Sequence, residues 1–390
     1  MKPNPGGQID PRDVIGRDVL IDRIWSRLDV QSLSLPAERR VGKTSVLRKM
    51  AAEPRAGWFP LFQDLEGISS VNDVAIAVHG RVVEQLGVWQ KLANRSLGLL
   101  KRLGGTEIGG LVTLPAVESK TWKALLEHVI DDLLEHQKPN RVVFFWDEFP
   151  WMLEKIRDND GASTARDVLD LLRSLRQTRA DFRVIYTGSI GLHHVLGDLK
   201  HGGYGNEPVN DMGPAIDVPP LEARHAEELA GQLLDGARLT PADRAATVAA
   251  LARESGGVPY YIHALVDELT QAGPGFDVAA IARRMLTKAE DPWDMRHYLT
   301  RISRYYPKDK DLVLIVLDGL AARDEPAKTD EILENVAQSI APPKVDHMRE
   351  LLRLLTLDHY LEKTEDRRYR FRFPLLKRWW GLEREIAVIE

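Results

Sequence analysis

Gln31 to Met50 reads QSLSLPAERRVGKTSVLRKM, and no other stretch constrains the fold as strongly. A short apolar strand carrying Leu33 and Leu35 runs into a tight loop, and a helix opens at Gly42-Lys43-Thr44. The pattern is nearly G-x-x-x-x-G-K-[ST], in which loop and helix-start N–H groups cradle a β-phosphate. On that reading the cradle runs through Glu38, Arg39, Arg40, Val41, Gly42, Lys43, Thr44 and Ser45. Ala37 stands where the first Gly belongs, and its Cβ is expected to limit the backbone there. Alone, these residues leave a second reading open, a chance Gly-Lys-Thr at a helix start.

Arg141 to Glu148, RVVFFWDE, is the second landmark. An unbroken apolar run bounded by charge predicts a strand buried on both faces, as in a parallel sheet. Its end carries Asp147-Glu148, where open α/β sheets bind ligands. Asp147 is the expected Mg²⁺ ligand, directly or through water, and Glu148 the group that polarises an attacking water. A strand merely ending in solvated acids is the alternative, and pairing with Gly42-Lys43-Thr44 disfavours it. A further strand is predicted over Asp181 to Ser189, DFRVIYTGS. A hydroxyl at its end, Thr187 or Ser189, is placed to sense a γ-phosphate or orient water. The same residues also fit a Gly-containing turn.

The remaining chain divides in three. Met1 to Pro11 is rich in Pro and Gly and is expected to be a loose tail. Ile15-Gly16-Arg17 precedes a helix predicted from Asp18, as a plain turn or as a segment closing over an adenine. Strand Trp58 to Phe62 leads to Asp64 and Glu66, expected to be solvated. Helices follow over Val71 to Leu86, Trp89 to Leu103, Thr121 to His136 and Ser163 to Thr178, with a hairpin or irregular excursion over Gly104 to Val117. His193-His194 is expected to pack or cap, its rings pointing apart. Ala215 to Val218 is a candidate last strand.

From Leu221 the pattern is helical and predicts a small α-helical domain packed beside the sheet, with Thr240-Pro241 opening one helix and Pro259 the next. A linker is expected around Asp291-Pro292-Trp293. Three further helices and a hairpin around Glu365 to Arg368 are the parts of a winged helix. Trp379 and Trp380 are expected to pack a last helix onto the core. The expected domains are a core over 1–213, a helical domain over 214–298 and a winged helix over 299–390.

Composition narrows the classes. The 390 residues suit two or three domains, and a formal net charge of −5 argues against a general nucleic-acid coat. With 0 cysteines there is neither a disulfide framework nor a thiolate metal site. The first residues lack a secretory apolar segment and no run reaches membrane-spanning length, so a cytoplasmic protein with no membrane partner is expected.

The order Ile15-Gly16-Arg17, AERRVGKTS, FFWDE, IYTGS and SGGVPYYI resembles AAA+-like and STAND-type P-loop ATPases. The likeness runs from about Val14 to the end. It implies an α/β P-loop NTPase core with a parallel sheet flanked by helices, then a helical lid and a winged-helix domain. It also implies ATP and Mg²⁺ as cofactors, ATP hydrolysis, and a protein partner, homo-oligomer or duplex DNA. By this resemblance Lys43 contacts the β- and γ-phosphates, Thr44 the Mg²⁺, Thr187 or Ser189 is the sensor, and Pro259 lies near the base. Two departures stand out. Ala37 replaces a Gly, and Tyr204 to Pro219 holds no arginine able to reach a neighbour's γ-phosphate. Lys200, Arg183 and Arg224 are the nearest candidates. An absent finger, worth roughly 10³ or more in rate, implies slow or partner-stimulated turnover, as in a nucleotide switch. A DNA-binding regulator or replication-initiator-like loader, and a signalling or defence ATPase with a separate effector, are the alternatives.

Overall fold

The apolar run at Arg141–Asp147 forms the central strand, β5, of a four-stranded parallel sheet in the computed structural model, which describes residues 1–86, 106–108, 111–113, 121–188, 191–273 and 275–386. Its neighbours are β2 (Trp58–Asp64) and β6 (Phe182–Gly188), and β1 (Leu33–Pro36) lies beyond β6. Every pairing is parallel, with Phe145 opposite Phe62 and Ile185. Alternation along β5 sorts its side chains onto two faces. Phe144 and Trp146 join one apolar core with α3 (Val71–Leu86), α4 (Thr121–Gln137), α5 (Phe149–Asp160) and α6 (Ala162–Thr178). Val143 and Phe145 join the other, with Ile24, Trp25 and Leu28 of α1 (Asp18–Leu28) and Val46, Leu47 and Met50 of α2 (Lys43–Ala52). A strand covered on both sides needs apolar residues at every position, which is why VVFFW does not alternate with polar ones.

The chain divides into two compact units. The sheet unit comprises Asp10–Ala37 and Lys43–Val218. Within it, α5 was not expected; it starts directly after β5, with Glu148 as its N-cap in the left-handed region (φ 55°). The expected strand over 215–218 is not one: Ile216 N–H donates to Ser34 O (3.0 Å) and Gly213 N–H to Ser32 O (2.9 Å). With Pro214 before it and Pro219-Pro220 after, the segment lacks donors for a ladder. Within the predicted excursion, β3 (Thr106–Ile108) and β4 (Leu111–Thr113) pair antiparallel. The helix predicted over Trp89 to Leu103 lies outside the described residues. Loop 202–214 is clamped by Arg176, 3% exposed, which donates to both Asp211 oxygens (2.8 Å each), Tyr186 Oη (2.7 Å) and Pro208 O (2.5 Å).

The second unit comprises Met1–Ile9, Glu38–Gly42 and Pro219–Glu390. It holds α8 (Ala223–Gly236), α9 (Arg244–Glu254), α10 (Pro259–Ala272) and α11 (Val278–Thr287), the last falling where only a linker was expected; α7 (Leu192–His201) belongs to the sheet unit. The cap of α9 is Asp243, accepting from Ala246 N–H (2.9 Å), rather than Thr240, because the chain turns once more after Pro241. Pro259 does open α10. The N-terminal segment is no loose tail. Asn4 N–H donates to His263 Nδ1 (3.1 Å), and a Cβ on Gly236 would meet Met1 O at 1.6 Å.

After α12 (His297–Tyr305) come α13 (Lys310–Ala321), α14 (Thr329–Ala337) and α15 (Val345–Leu357), then a hairpin of β7 (Leu361–Lys363) and β8 (Tyr369–Phe371). Ala327 bridges Tyr369, so the segment before α14 pairs with the hairpin. This is the element order of a winged helix. Trp379 and Trp380 of α16 (Pro374–Glu383) are 1% and 0% exposed, with the Trp380 indole donating to Asp318 (2.8 Å). They pack the last helix, as expected. No described helix is long and apolar enough to cross a membrane.

Candidate functional site

The loop after β1 turns through two left-handed residues, Arg40 (φ 70°) and Gly42 (φ 95°). Ala37 is not among the left-handed positions and is 2% exposed. The expected backbone restriction at Ala37 therefore does not arise, since the loop asks glycine's freedom of residue 42 instead. Lys43, the first residue of α2 and 7% exposed, donates from Nζ to Ala37 O (2.9 Å). A lysine folded onto the loop carbonyl leaves the first-turn N–H groups of α2 as the anion-binding end of that helix.

Asp147 joins three strand and helix ends. Thr44, one residue into α2, donates its hydroxyl to Asp147 Oδ2 (2.5 Å). Thr187, near the end of β6, donates to Asp147 Oδ1, which also accepts from Glu148 N–H (3.2 Å). Parallel register brings these residues together: β5 and β6 run side by side, and β1, which feeds the loop, flanks β6. Asp147 is 4% exposed and Thr187 2%, whereas Glu148 is half-buried at the strand-to-helix turn. Hard oxygen ligands at such a turn suit a divalent cation of the Mg²⁺ kind. Asp64 sits opposite Asp147 in the register, but it is exposed and accepts from Glu66 N–H (2.9 Å), as expected for a solvated strand end.

The other predicted residues fall around two places. In the sheet unit, Gly16 is left-handed (φ 67°), Ile15 is half-buried, and Arg17, 4% exposed, caps α1. Burial pulls the Arg17 guanidinium down to about 10, against the opposing pull of Asp217. Ser45 is half-buried in α2. In the second unit, Arg39 pairs with Asp294 (2.9 Å), and Arg40 pairs with the same carboxylate (3.4 Å) while lying 4.0 Å over Tyr260, beside Pro259. Glu38 is buried against Arg301 and His297, a grouping with no counterpart in any local sequence pattern. Ser189 lies outside the described residues.

None of the finger candidates is idle. Arg183 donates to the carbonyls of Leu28 (3.2 Å) and Ala180 (2.8 Å), Lys200 pairs with Glu207 (2.5 Å), and Arg224 with Glu222 (3.2 Å). The imidazoles of His193 and His194, expected to point apart, have centroids 4.2 Å apart. Gly191 allows this, because a Cβ there would meet the His193 ring at 2.2 Å.

A helix-flanked parallel sheet of this kind is matched among solved structures. The Walker-type ATPase PABY2304 of Pyrococcus abyssi is 16% identical over 95% of this chain and 96% of that one, with a TM-score of 0.67. The two share one fold, an α/β P-loop core with a parallel sheet flanked by helices. The Aeropyrum pernix ORC2 protein, solved in ADPNP–ADP complexes, is 13% identical over 94% of this chain and 91% of that one, with a TM-score of 0.50. Neither a protein-family model nor a curated protein sequence matches the chain.

Proposed function

We propose that the chain binds ATP with Mg²⁺ and hydrolyses it slowly, or on stimulation by a partner, as a nucleotide-dependent switch. The convergence of Thr44 and Thr187 on Asp147, beside a lysine-bearing loop, carries this reading. Lys43 moves its ammonium from Ala37 O to the β- and γ-phosphates, exchanging a neutral acceptor for charged ones. Thr44 and Asp147 hold the cation, whose charge offsets that of the phosphate oxygens. Glu148 accepts a proton from the attacking water, and Thr187 (or Ser189) reads the γ-phosphate end. Ile15, Gly16 and Arg17 close over the base. The carbonyl bonds of Arg183 and the ion pairs of Lys200 and Arg224 support the view that a transition-state arginine comes from another molecule.

A winged helix coupled to a protein partner is favoured over direct DNA contact by its ion pairs. Arg349 pairs with Asp346 (3.2 Å), Arg353 with Glu350 (2.6 Å), Arg368 with Asp366 (2.9 Å) and Arg370 with Glu362 (2.5 Å). Phosphates would have to compete with these carboxylates, each exposed pair resisting by at most about 1 kcal/mol. The deciding experiment is ATP turnover, with and without duplex DNA, in wild type and Glu148→Gln. The variant is expected to bind ATP normally and to lose about 10²–10⁴-fold in turnover. Equal turnover would remove the assignment. Stimulation by DNA, lost steeply with added salt, would favour the replication-initiator-like reading. An ATP-dependent change in size would favour the signalling assembly.

A further inference from the structure

The unit containing Glu38–Gly42 buries a chain of polar groups between this loop and the winged-helix hairpin. The Glu38 side chain is 4% exposed, with Arg301 Nη1 at 3.3 Å and His297 Nε2 at 3.4 Å from its Oε1. Arg301 is 11% exposed, and its other arm reaches Asp358: Nη2 lies 3.4 Å from the carbonyl and 3.7 Å from Oδ1. Asp358, 1% exposed, accepts the Tyr306 hydroxyl. The guanidinium lies 5.7 Å from the ring centre of Tyr360, whose hydroxyl donates to Tyr298 O (2.6 Å) and whose carbonyl accepts Arg372 N–H (3.0 Å) across the hairpin. Arg301 thus joins a loop acid to the α15–β7 junction. Buried ion pairs of this kind are held by geometry, and removing one partner leaves a charge that water cannot reach. Arg301 Nε, buried, meets no acceptor among the described residues, so the cluster retains a donor for a second arrangement.

We propose that Arg301 is a positioning residue for the phosphate loop: it clamps Glu38, next to the Ala37 carbonyl that holds Lys43, and ties the loop through Asp358 to the hairpin, so that loop and hairpin respond to nucleotide together. The inference rests on the nucleotide-binding reading of Ala37 to Thr44. Its physical content is preorganisation, since a loop already held in its binding shape loses less freedom when phosphate arrives. Asp358 is the informative residue, because it belongs to no phosphate motif and shares the Arg301 guanidinium with Glu38.

The test is ADP binding by calorimetry on the full chain, with hydrogen exchange of residues 361–371 measured with and without ADP. Asp358→Asn is expected to weaken ADP binding at least fivefold, and Glu38→Gln similarly. The double variant should lose no more than the worse single, because both remove one linkage. ADP should slow exchange in the wild-type hairpin and leave it unchanged in Asp358→Asn. Wild-type affinity in both single variants, or multiplying losses with an unaltered exchange response, would overturn the proposal. If Asp358→Asn does not fold, Tyr306→Phe, which removes only the hydroxyl on Asp358, takes its place with a smaller shift in both readouts. Lys43→Ala keeps the two readings apart. If it binds ADP like wild type, the loop reading fails; if it alone loses binding, only the linkage does.

Discussion

Asp147 and Glu38 are both almost wholly buried, at 4% and 5% exposure, yet their surroundings treat the negative charge in opposite ways. The hydrogen-bond donors around Asp147 are neutral: the Thr44 and Thr187 hydroxyls and the Glu148 amide. Those around Glu38 include, besides the Arg39 amide (2.8 Å), the Arg301 guanidinium and the His297 ring. Hydroxyls orient a carboxylate without cancelling its charge, whereas a guanidinium does both. On the proposed reading, one acid is kept ready for a cation that arrives with the ligand, and the other has been given its cation by the chain. The two should fail differently when neutralised.

The largest separation is expected in turnover. Asp147→Asn keeps the size and one of the two hydroxyl-accepting oxygens but removes the charge proposed to hold the metal, so Mg²⁺-dependent ATP hydrolysis should fall about 10³-fold. Glu38→Gln should retain the wild-type Mg²⁺ optimum in a titration at saturating ATP. A shifted Mg²⁺ optimum in Glu38→Gln would mean that the two carboxylates share one role.

In stability the order reverses. Glu38→Gln leaves Arg301 buried against a neutral amide and should cost about 3–5 kcal/mol in urea unfolding at pH 7. Asp147→Asn removes a charge that lacks a resident cation, and should stay within about 1 kcal/mol of wild type. Both measurements belong in nucleotide-free buffer, where ligand linkage cannot mask them.

The same contrast explains what could be read from residue order. Lys43, Thr44, Asp147 and Thr187 lie at strand ends and a helix start, and parallel strands deliver their ends to one edge whatever happens elsewhere. Local pattern was therefore enough to group them. The Glu38 cluster depends on how α12 and the α15–β7 junction pack, a contact more than 250 residues away in sequence that no periodicity encodes. Ala37 illustrates a subtler gap. Its letter signalled a weakened loop, but the cost depends on φ, which only the folded loop fixes. Helix α5 has no counterpart in the sequence reading because it opens directly after the strand-ending acids, with Glu148 rather than a usual capping residue before it. The tight left-handed turn at Glu148 is what separates strand from helix. The N-terminal segment was judged by its Pro and Gly content, and its hold on His263 and Gly236 is tertiary.

A smaller effect should appear in acid. Burial alone would raise the Glu38 carboxyl, and the charges of Arg301 and His297 more than reverse this, holding it well below its ordinary 4.5. A depressed carboxylate contributes stability that is complete above the unfolded-state value and lost as pH falls through the folded one. The wild type should therefore lose stability as pH drops below about 4.5, and Glu38→Gln should show a shallower slope over that window. Parallel slopes in urea midpoints from pH 6 to pH 3 would show that Glu38 is not the titrating group.

The smallest expected effect is at Ala37. If that position required left-handed backbone, Ala37→Gly would relieve strain and tighten ADP binding. Because Ala37 lies outside that region while Arg40 and Gly42 occupy it, the substitution instead adds unfolded-state freedom and removes a buried methyl group. It should cost about 0.5–1 kcal/mol in urea unfolding and leave ADP affinity within about twofold. The carbonyl that receives Lys43 is backbone, and it survives the change. A gain in affinity of tenfold or more would show instead that the nucleotide-bound loop adopts a backbone that this one does not, and that the alanine restrains the approach to it.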